Sequence, residues 1–356
     1  MDKIKTGRPI VARVTEALVR PQTALLDAAR RAEPTEKEHA RFADALPCLQ
    51  AIEYRPAPVP HQTGERIRIA AWNAERCKYA AASGELIRSA DIDLALLSEL
   101  DVGMARSGNR DTIGELAAEL GMGHAFGVEY VELGLGDDRE KAWHGGQSNV
   151  VGLHGNGLLT SVALDELAII RLDEGGRWFA GRQSTAERRI GWRMAIGARA
   201  HFAQATMFVV SVHLESSTDA RDRARQCLTL IEAVDELAEG LPVIIGGDFN
   251  TADLPVPDVA KPDWFRMPQV HEPLFAHFAD AGYDWTLANE QKATQRMRPD
   301  GTPPPPFQRI DWFFTRGLNV VGAETFSATD GKGMAISDHD LLVVTLNLRK
   351  DRANGR

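Results

Sequence analysis

"LPVIIGGDFN", Leu241–Asn250, is the stretch whose reading decides the fold class. Val243, Ile244 and Ile245 form a continuous apolar run rather than an alternating one. A strand reads this way when helices cover one face and a second sheet packs on the other. The run then stops on an acid and an amide, Asp248 and Asn250. The same design recurs outward along the chain in "IRIAAWN", "DLALLSEL", "NVVGLHGNGLLTS", "RMAIGARAHF", "TMFVVSVHL", "RIDWFFT" and "LLVVTLNL". Helical stretches separate some of these runs. "NRDTIGELAAEL" is one and "VHEPLFAHFADAGY" another. A third, "ARDRARQCLTLIEAVDELAEG", sets Cys227, Leu230, Ile231, Val234 and Leu237 at helical spacing and ends on Gly240. Strand runs outnumber helical ones, so the expected class is α/β, with two sheets packed together and helices outside.

The chain has 356 residues, enough for one large domain or two modest ones. Its net charge of −9, from 41 basic and 50 acidic side chains, argues against non-specific coating of nucleic acid. Cys48, Cys77 and Cys227 are widely spaced, so neither a disulfide framework nor a cysteine zinc site is indicated, and a reducing, cytoplasmic setting fits. No apolar stretch is long enough for a membrane span or a signal peptide. Residues 1–54 are rich in Ala, Leu, Glu and Arg and read as a helical extension, broken near Pro21 and Pro34. It would pack on the main body or on a second copy of the chain. Residues 55–65 read as a linker, 66–349 as the main domain and 350–356 as a tail.

Polar residues recur where the strand runs end: Asn73, Glu75, Glu99, His213, Asp248, Asn250, Asp311, and the "SDHD" of 337–340. Each alone is what a turn or a cap would use. If the ends converge, Glu99, Asp248, Asp311 and Asp338 share one cleft. Two carboxylates about 4 Å apart repel by roughly 4 kcal/mol at an effective dielectric near 20. Such a cluster calls for cations or protons. Oxygen donors without cysteine suit Mg²⁺ or Mn²⁺. A metal with Asp, His and Asn is equipment for phosphoryl chemistry. No GxSxG elbow, GxGxxG fingerprint or P-loop competes with this reading.

The motifs "AAWNAE", "LLSELD", "HGNGLLTS", "SVHLES", "GGDFNT", "RIDW" and "SDHDLL" occur in the order of a known family. Over residues 66–349 the chain resembles the endonuclease/exonuclease/phosphatase superfamily. The resemblance implies a four-layer α-β-β-α sandwich of two mixed sheets with the site at one edge. It implies Glu99 as a metal ligand, with Asp311 and Glu75 as further candidates, and Asn73 near metal and phosphate. It further implies Asp248 and Asn250 as water-activating acid and phosphate-holding amide, and His213 as a phosphate contact. Asp338 is expected to orient the His339 imidazole, and Asn156 to approach the substrate. His154 is taken as structural. Ser98 stands where many relatives carry Gln, which leaves the adjacent ligand intact.

Substrate choice is expected in the segments between motifs: Trp264, Phe265 and Arg266; Trp285, Arg296 and Arg298; and Arg188, Arg189 and Arg193, with Arg189 as a phosphate contact. The leading expectation is an Mg²⁺-dependent phosphodiesterase for a small or medium organic phosphodiester. A nuclease, a phosphomonoesterase and a non-catalytic binding protein on the same fold remain alternatives.

Overall fold

The computed structural model describes residues 10–59, 63–181, 187–257 and 262–348. Part of the expected linker (residues 60–62), the tail at 350–356 and the first nine residues lie outside them. The described chain begins with β1 (Ile10–Val11), β2 (Val14–Thr15), α1 (Thr23–Arg31), α2 (Glu36–Asp44) and β3 (Ile52–Arg55). Then come β4 (Arg66–Arg76), α3 (Ala80–Ser89), β5 (Leu94–Val102), α4 (Thr112–Leu120), β6 (Gly123–Glu132) and α5 (Asp138–Trp143). β7 (Leu153–Thr160), β8 (Ala163–Arg171), β9 (Arg189–Gly191), β10 (Met194–His201) and β11 (Thr206–His213) follow. The last elements are α6 (Ala220–Ala238), β12 (Val243–Asp248), α7 (Leu274–Asp280), β13 (Asp311–Arg316), β14 (Val320–Phe326) and β15 (Leu341–Asn347).

Two mixed sheets result. One has the order β1-β8-β10-β11-β12-β13; the other runs β14-β15-β4-β5-β7-β6-β3-β2, with β9 also on β6. Side-chain alternation sorts the core into layers. On β4, Ile67, Ile69 and Ala71 enter the cluster between the sheets, while Ala70, Trp72 and Ala74 enter the one beneath the N-terminal helices. On β12, Ile244 faces the other sheet, and Val243 and Ile245 pack with Cys227, Leu230, Ile231 and Val234 of α6. Both faces are thus dry, which is why these strands lack a polar alternation. The expected α-β-β-α sandwich is what the chain forms.

The first 54 residues do more than form helices. α1 and α2 fall on either side of Pro34, and Thr35 caps α2 by accepting from the Glu38 amide at 3.2 Å. The short strands around them join the chain's own sheets: β1 pairs with β8, and β3 pairs antiparallel with β6. Helix-favouring composition hid these strands, because edge pairing needs only two to four residues and leaves little periodic signal.

Candidate active site

The site grows from the register of the strands. His213 at the end of β11 lies opposite Asp248 at the end of β12, and Asp248 lies opposite Asp311 at the start of β13. The three make one rung across the six-stranded sheet. Period-two alternation turns them toward the other sheet, on the face that Ile244 and Phe313 occupy deeper in the core. Asn73 reaches the same edge from β4, two residues past inward-facing Ala71.

Glu99 arrives through a bulge. Leu94 and Leu96 of β5 face between the sheets, so strict alternation would place Ser98 next. Pairing instead shifts register between Leu97 and Leu100, and Glu99 takes a left-handed φ of 54°. The bulge aims its carboxylate at the cleft. Asn73 Nδ2 then donates both to Glu99 Oε1, at 3.2 Å, and to Asp248 Oδ2, at 3.0 Å.

The "SDHD" segment is clamped onto β4 from several directions. Ser337 Oγ donates to the Asn73 carbonyl at 2.7 Å and accepts from the His339 amide at 3.0 Å. Trp72 Nε1 donates to the His339 carbonyl at 2.9 Å. His339 Nδ1 lies 2.9 Å from Asp311 Oδ2, and His339 Nε2 lies 3.8 Å from Asp248 Oδ2. This corrects the expectation for Asp338. The acid that orients the ring is Asp311, because β13 brings it to Nδ1. Asp338 stands 3.9 Å from Nε2 and is held by the Arg298 guanidinium. Asp338 approaches the ring from its Nε2 side, with its other oxygen bound by Arg298, and leaves Nδ1 to Asp311.

Three other expected residues sit differently. Glu75 does not face the metal candidates: its carboxylate accepts from Lys78 at 2.7 Å, Arg298 at 2.8 Å and the Asp338 amide at 3.1 Å. Asn156 is fully buried in β7 and donates to the Met194 carbonyl at 3.0 Å, away from the cleft. Arg189 does line the cleft but is paired to Glu132 at 2.9 Å and also to Glu187. Asn250 lines the cleft. Its amide N–H donates to Asp248 Oδ1 at 2.8 Å, and its side chain reaches the Leu214 carbonyl. Trp264, Phe265 and Trp285 are core residues packed around Trp312, so they are not available to a ligand.

Glu99, His213, Asp248, Asn250, Asp338 and His339 line a cleft of about 370 Å³ that also includes Arg76, Tyr130, His154, Arg193, Arg298 and Pro303. Arg76 was not anticipated. Its guanidinium binds Glu99 on one side and Glu140 at 3.0 Å on the other. Glu75, Arg76 and Cys77 all have positive φ, so the chain turns sharply where β4 leaves the sheet, and this turn carries Arg76 to Glu99. The sequence signal for it was only a charged residue directly after "AAWNAE". His154, taken as structural, does line the cleft, with Nδ1 2.7 Å from Asp101 Oδ1 in a buried network with Arg106.

Electrostatics follow from these contacts. Burial favours a neutral Glu99, yet the Arg76 guanidinium together with His213, His154 and His339 outweighs it and holds the carboxyl well below the usual range. Burial also opposes charge on His339, but Asp311 and Asp248 overcome it and keep the imidazole protonated well above its ordinary pKa. Asp248 is pushed up by burial and by Asp311, against the pull of His339. Asp338 is pushed up to about 6, mainly by burial, with His339 and Arg298 opposing and Glu75 reinforcing.

Asp248, Asp311 and His339 have nitrogen or oxygen atoms within 4.8 Å of one another, although the protonated His339 has no lone pair to give an ion. Glu99 Oε1 and Asp248 Oδ2 share the Asn73 amide. An oxygen-rich set with a raised carboxyl fits a hard divalent cation. Glu75, already bound to two cations, does not extend that set.

Behind the cleft, Glu140 and Glu215 are each held down to about 2, against the burial that opposes their charge. Arg76 and Arg106 stabilise the first, and Arg193 the second. Both pKa values are depressed on folding, so the stability they contribute is complete above about pH 5 and drains away as pH falls toward 2. Urea unfolding at pH 7 and pH 3.5 should therefore differ by a few kcal/mol. Glu140→Gln should flatten that dependence; an unchanged slope would show that Glu140 is not held by its arginines.

The fold has counterparts among solved structures. It is similar to an endonuclease/exonuclease/phosphatase from Beutenbergia cavernae DSM 12333, at 18% identity and a TM-score of 0.57 over 79% of this chain and 71% of that one. An endonuclease/exonuclease/phosphatase family protein from Bacteroides thetaiotaomicron is similar at 15% identity and a TM-score of 0.52, over 82% and 98% of the two chains. The catalytic domain of human Nocturnin with bound sulfate anion is similar at 20% identity and a TM-score of 0.50, over 79% and 93%. No curated protein matches the sequence. Residues 70–339, from β4 to the imidazole that Asp311 orients, match the model of the Endonuclease/Exonuclease/phosphatase family, and the chain belongs to that family.

Proposed function

We propose that the chain is a metal-dependent hydrolase of small or medium organic phosphodiesters. The observation that carries this reading is that His213, Asp248, Glu99 and His339 line one cleft, with Asp311 behind His339 and Asn73 bridging Glu99 and Asp248. Asp248 Oδ2 would take the proton of an attacking water, while Asn250 fixes the carboxylate through its amide N–H. His339, charged and oriented by Asp311, presents Nε2–H to a phosphate oxygen. His213 Nε2, 3.7 Å from Asp248 Oδ2, supplies a second donor direction, and Asn73 sets Glu99 and Asp248 side by side. Glu99 and Asp248 would hold the divalent cation, with Mg²⁺ or Mn²⁺ matching their hardness. Such an ion supplies charge neutralisation at a non-bridging phosphate oxygen.

Two features favour a modest diester. The cleft volume of about 370 Å³ is near the lower end for ligand pockets. Arg76, Arg189, Arg193 and Arg298 on its walls are each already paired with acids, leaving them little surplus charge for a dianionic monoester. Cys48, Cys77 and Cys227 are buried free thiols, in keeping with a reducing, cytoplasmic setting. Among the described residues no helix is long and apolar enough to cross a membrane.

Purified protein with Mg²⁺ or Mn²⁺ should hydrolyse bis(4-nitrophenyl) phosphate, and excess chelator should abolish the turnover. Activity that survives the chelator refutes metal dependence. Faster turnover of 4-nitrophenyl phosphate would make it a monoesterase. Plasmid nicking that falls steeply with salt would make it a nuclease.

A further inference from the structure

On the far side of Arg298 lies a second hollow of about 270 Å³, lined in part by Glu75, Lys78, Tyr79, Trp143 and Pro299. Two aromatic rings open onto it from separate connections. Tyr79 precedes α3 and is 48% exposed; Trp143 ends α5 and is 56% exposed. Single exposed apolar residues are ordinary. Two large rings from distant segments on one small hollow form a surface suited to a planar partner. They contrast with Trp264, Phe265 and Trp285, which the core has consumed.

The hollow adjoins the cleft at Arg298, which lines both. That guanidinium holds Asp338 in the cleft and Glu75 in the hollow, so one side chain forms the wall between them. Lys78 and Arg298 are both paired to Glu75, leaving these cations little surplus charge for a second anion. A phosphoester seated beside His339 and Asp338 would send its substituent past Arg298 toward the rings.

We propose that this hollow is a subsite for a planar aromatic group, a nucleobase or an aryl ring, carried by the phosphoester. The inference rests on the reading of the neighbouring cleft as the phosphate site. It assigns Tyr79 and Trp143 to substrate selection, a role outside the motifs that carry the chemistry.

The test compares inhibition constants, against bis(4-nitrophenyl) phosphate hydrolysis with Mg²⁺ present, for adenosine 5′-monophosphate, phenyl phosphate and ribose 5-phosphate, each as its monoanionic methyl diester. One stacked ring should favour an aromatic ligand over ribose 5-phosphate by at least about fivefold. Trp143→Ala and Tyr79→Ala should bring that ratio toward one, and Trp143→Phe should keep most of it. A preference for the nucleotide alone identifies a base site; preference for both aromatic phosphates identifies a general aryl site. Ribose 5-phosphate binding as tightly as the aromatic ligands overturns the subsite while leaving the cleft intact. So does a ratio that both alanine variants preserve. Failure of all three to bind overturns the reading of the cleft, and the subsite with it.

Discussion

With Asp248 replaced by asparagine, hydrolysis of bis(4-nitrophenyl) phosphate should fall by about two to four orders of magnitude. The carboxylate is 2% exposed and sits on the one rung that also carries His213 and Asp311. Asparagine keeps its shape and can keep the bond from the Asn250 amide. It loses the basic oxygen that would accept a proton from water. Burial and Asp311 already disfavour the charged form of Asp248, so removing that charge should leave the melting temperature unchanged or raised. Near-normal turnover in a folded Asp248→Asn protein would remove Asp248 from the mechanism.

Asp311→Asn and Asp338→Asn separate two assignments that the sequence could not. Asp311 accepts from His339 Nδ1, so its loss should free the ring's orientation and remove the largest charge that keeps the imidazole protonated at both nitrogens. By analogy with hydrolytic triads, where an asparagine at the orienting position is severely damaging, a loss of about 10²–10⁴ in turnover is expected. Asp338 holds Arg298 instead, and its replacement should cost less than about tenfold. Steady-state rates for the two variants, with circular dichroism to confirm folding, decide the matter. A larger loss from Asp338→Asn would restore Asp338 as the orienting acid.

Much of the candidate site was legible because continuous apolar runs stop on polar residues. Dry strands such as "VIIGGD" and "IRIAAWN" must end before a polar side chain can meet water, so Asn73, His213 and Asp248 marked the ends of core strands. Glu99 too stood near the end of such a run, and the family resemblance implied its role, while its bulged, left-handed backbone leaves no periodic trace. Arginines were harder to place. Arg298 looked like a loop cation for substrate, yet it bridges Glu75 and Asp338; Arg188 instead donates to carbonyls of residues 29, 30 and 32. A long flexible side chain reports nothing in sequence about which acid it will reach.

The sequence by itself determined that buried strands would pair into two sheets and that acids, amides and imidazoles would stand at their ends. Hydrophobic periodicity is local, and it settles which face a residue occupies and where a strand must stop. Tertiary structure alone decided that Asp311 rather than Asp338 holds His339, that Arg76 meets Glu99, and that Tyr79 and Trp143 open on one hollow while Trp264 and Trp285 vanish into the core. Those pairings depend on strand register and loop closure between residues far apart in the chain, and no spacing along a single segment encodes them.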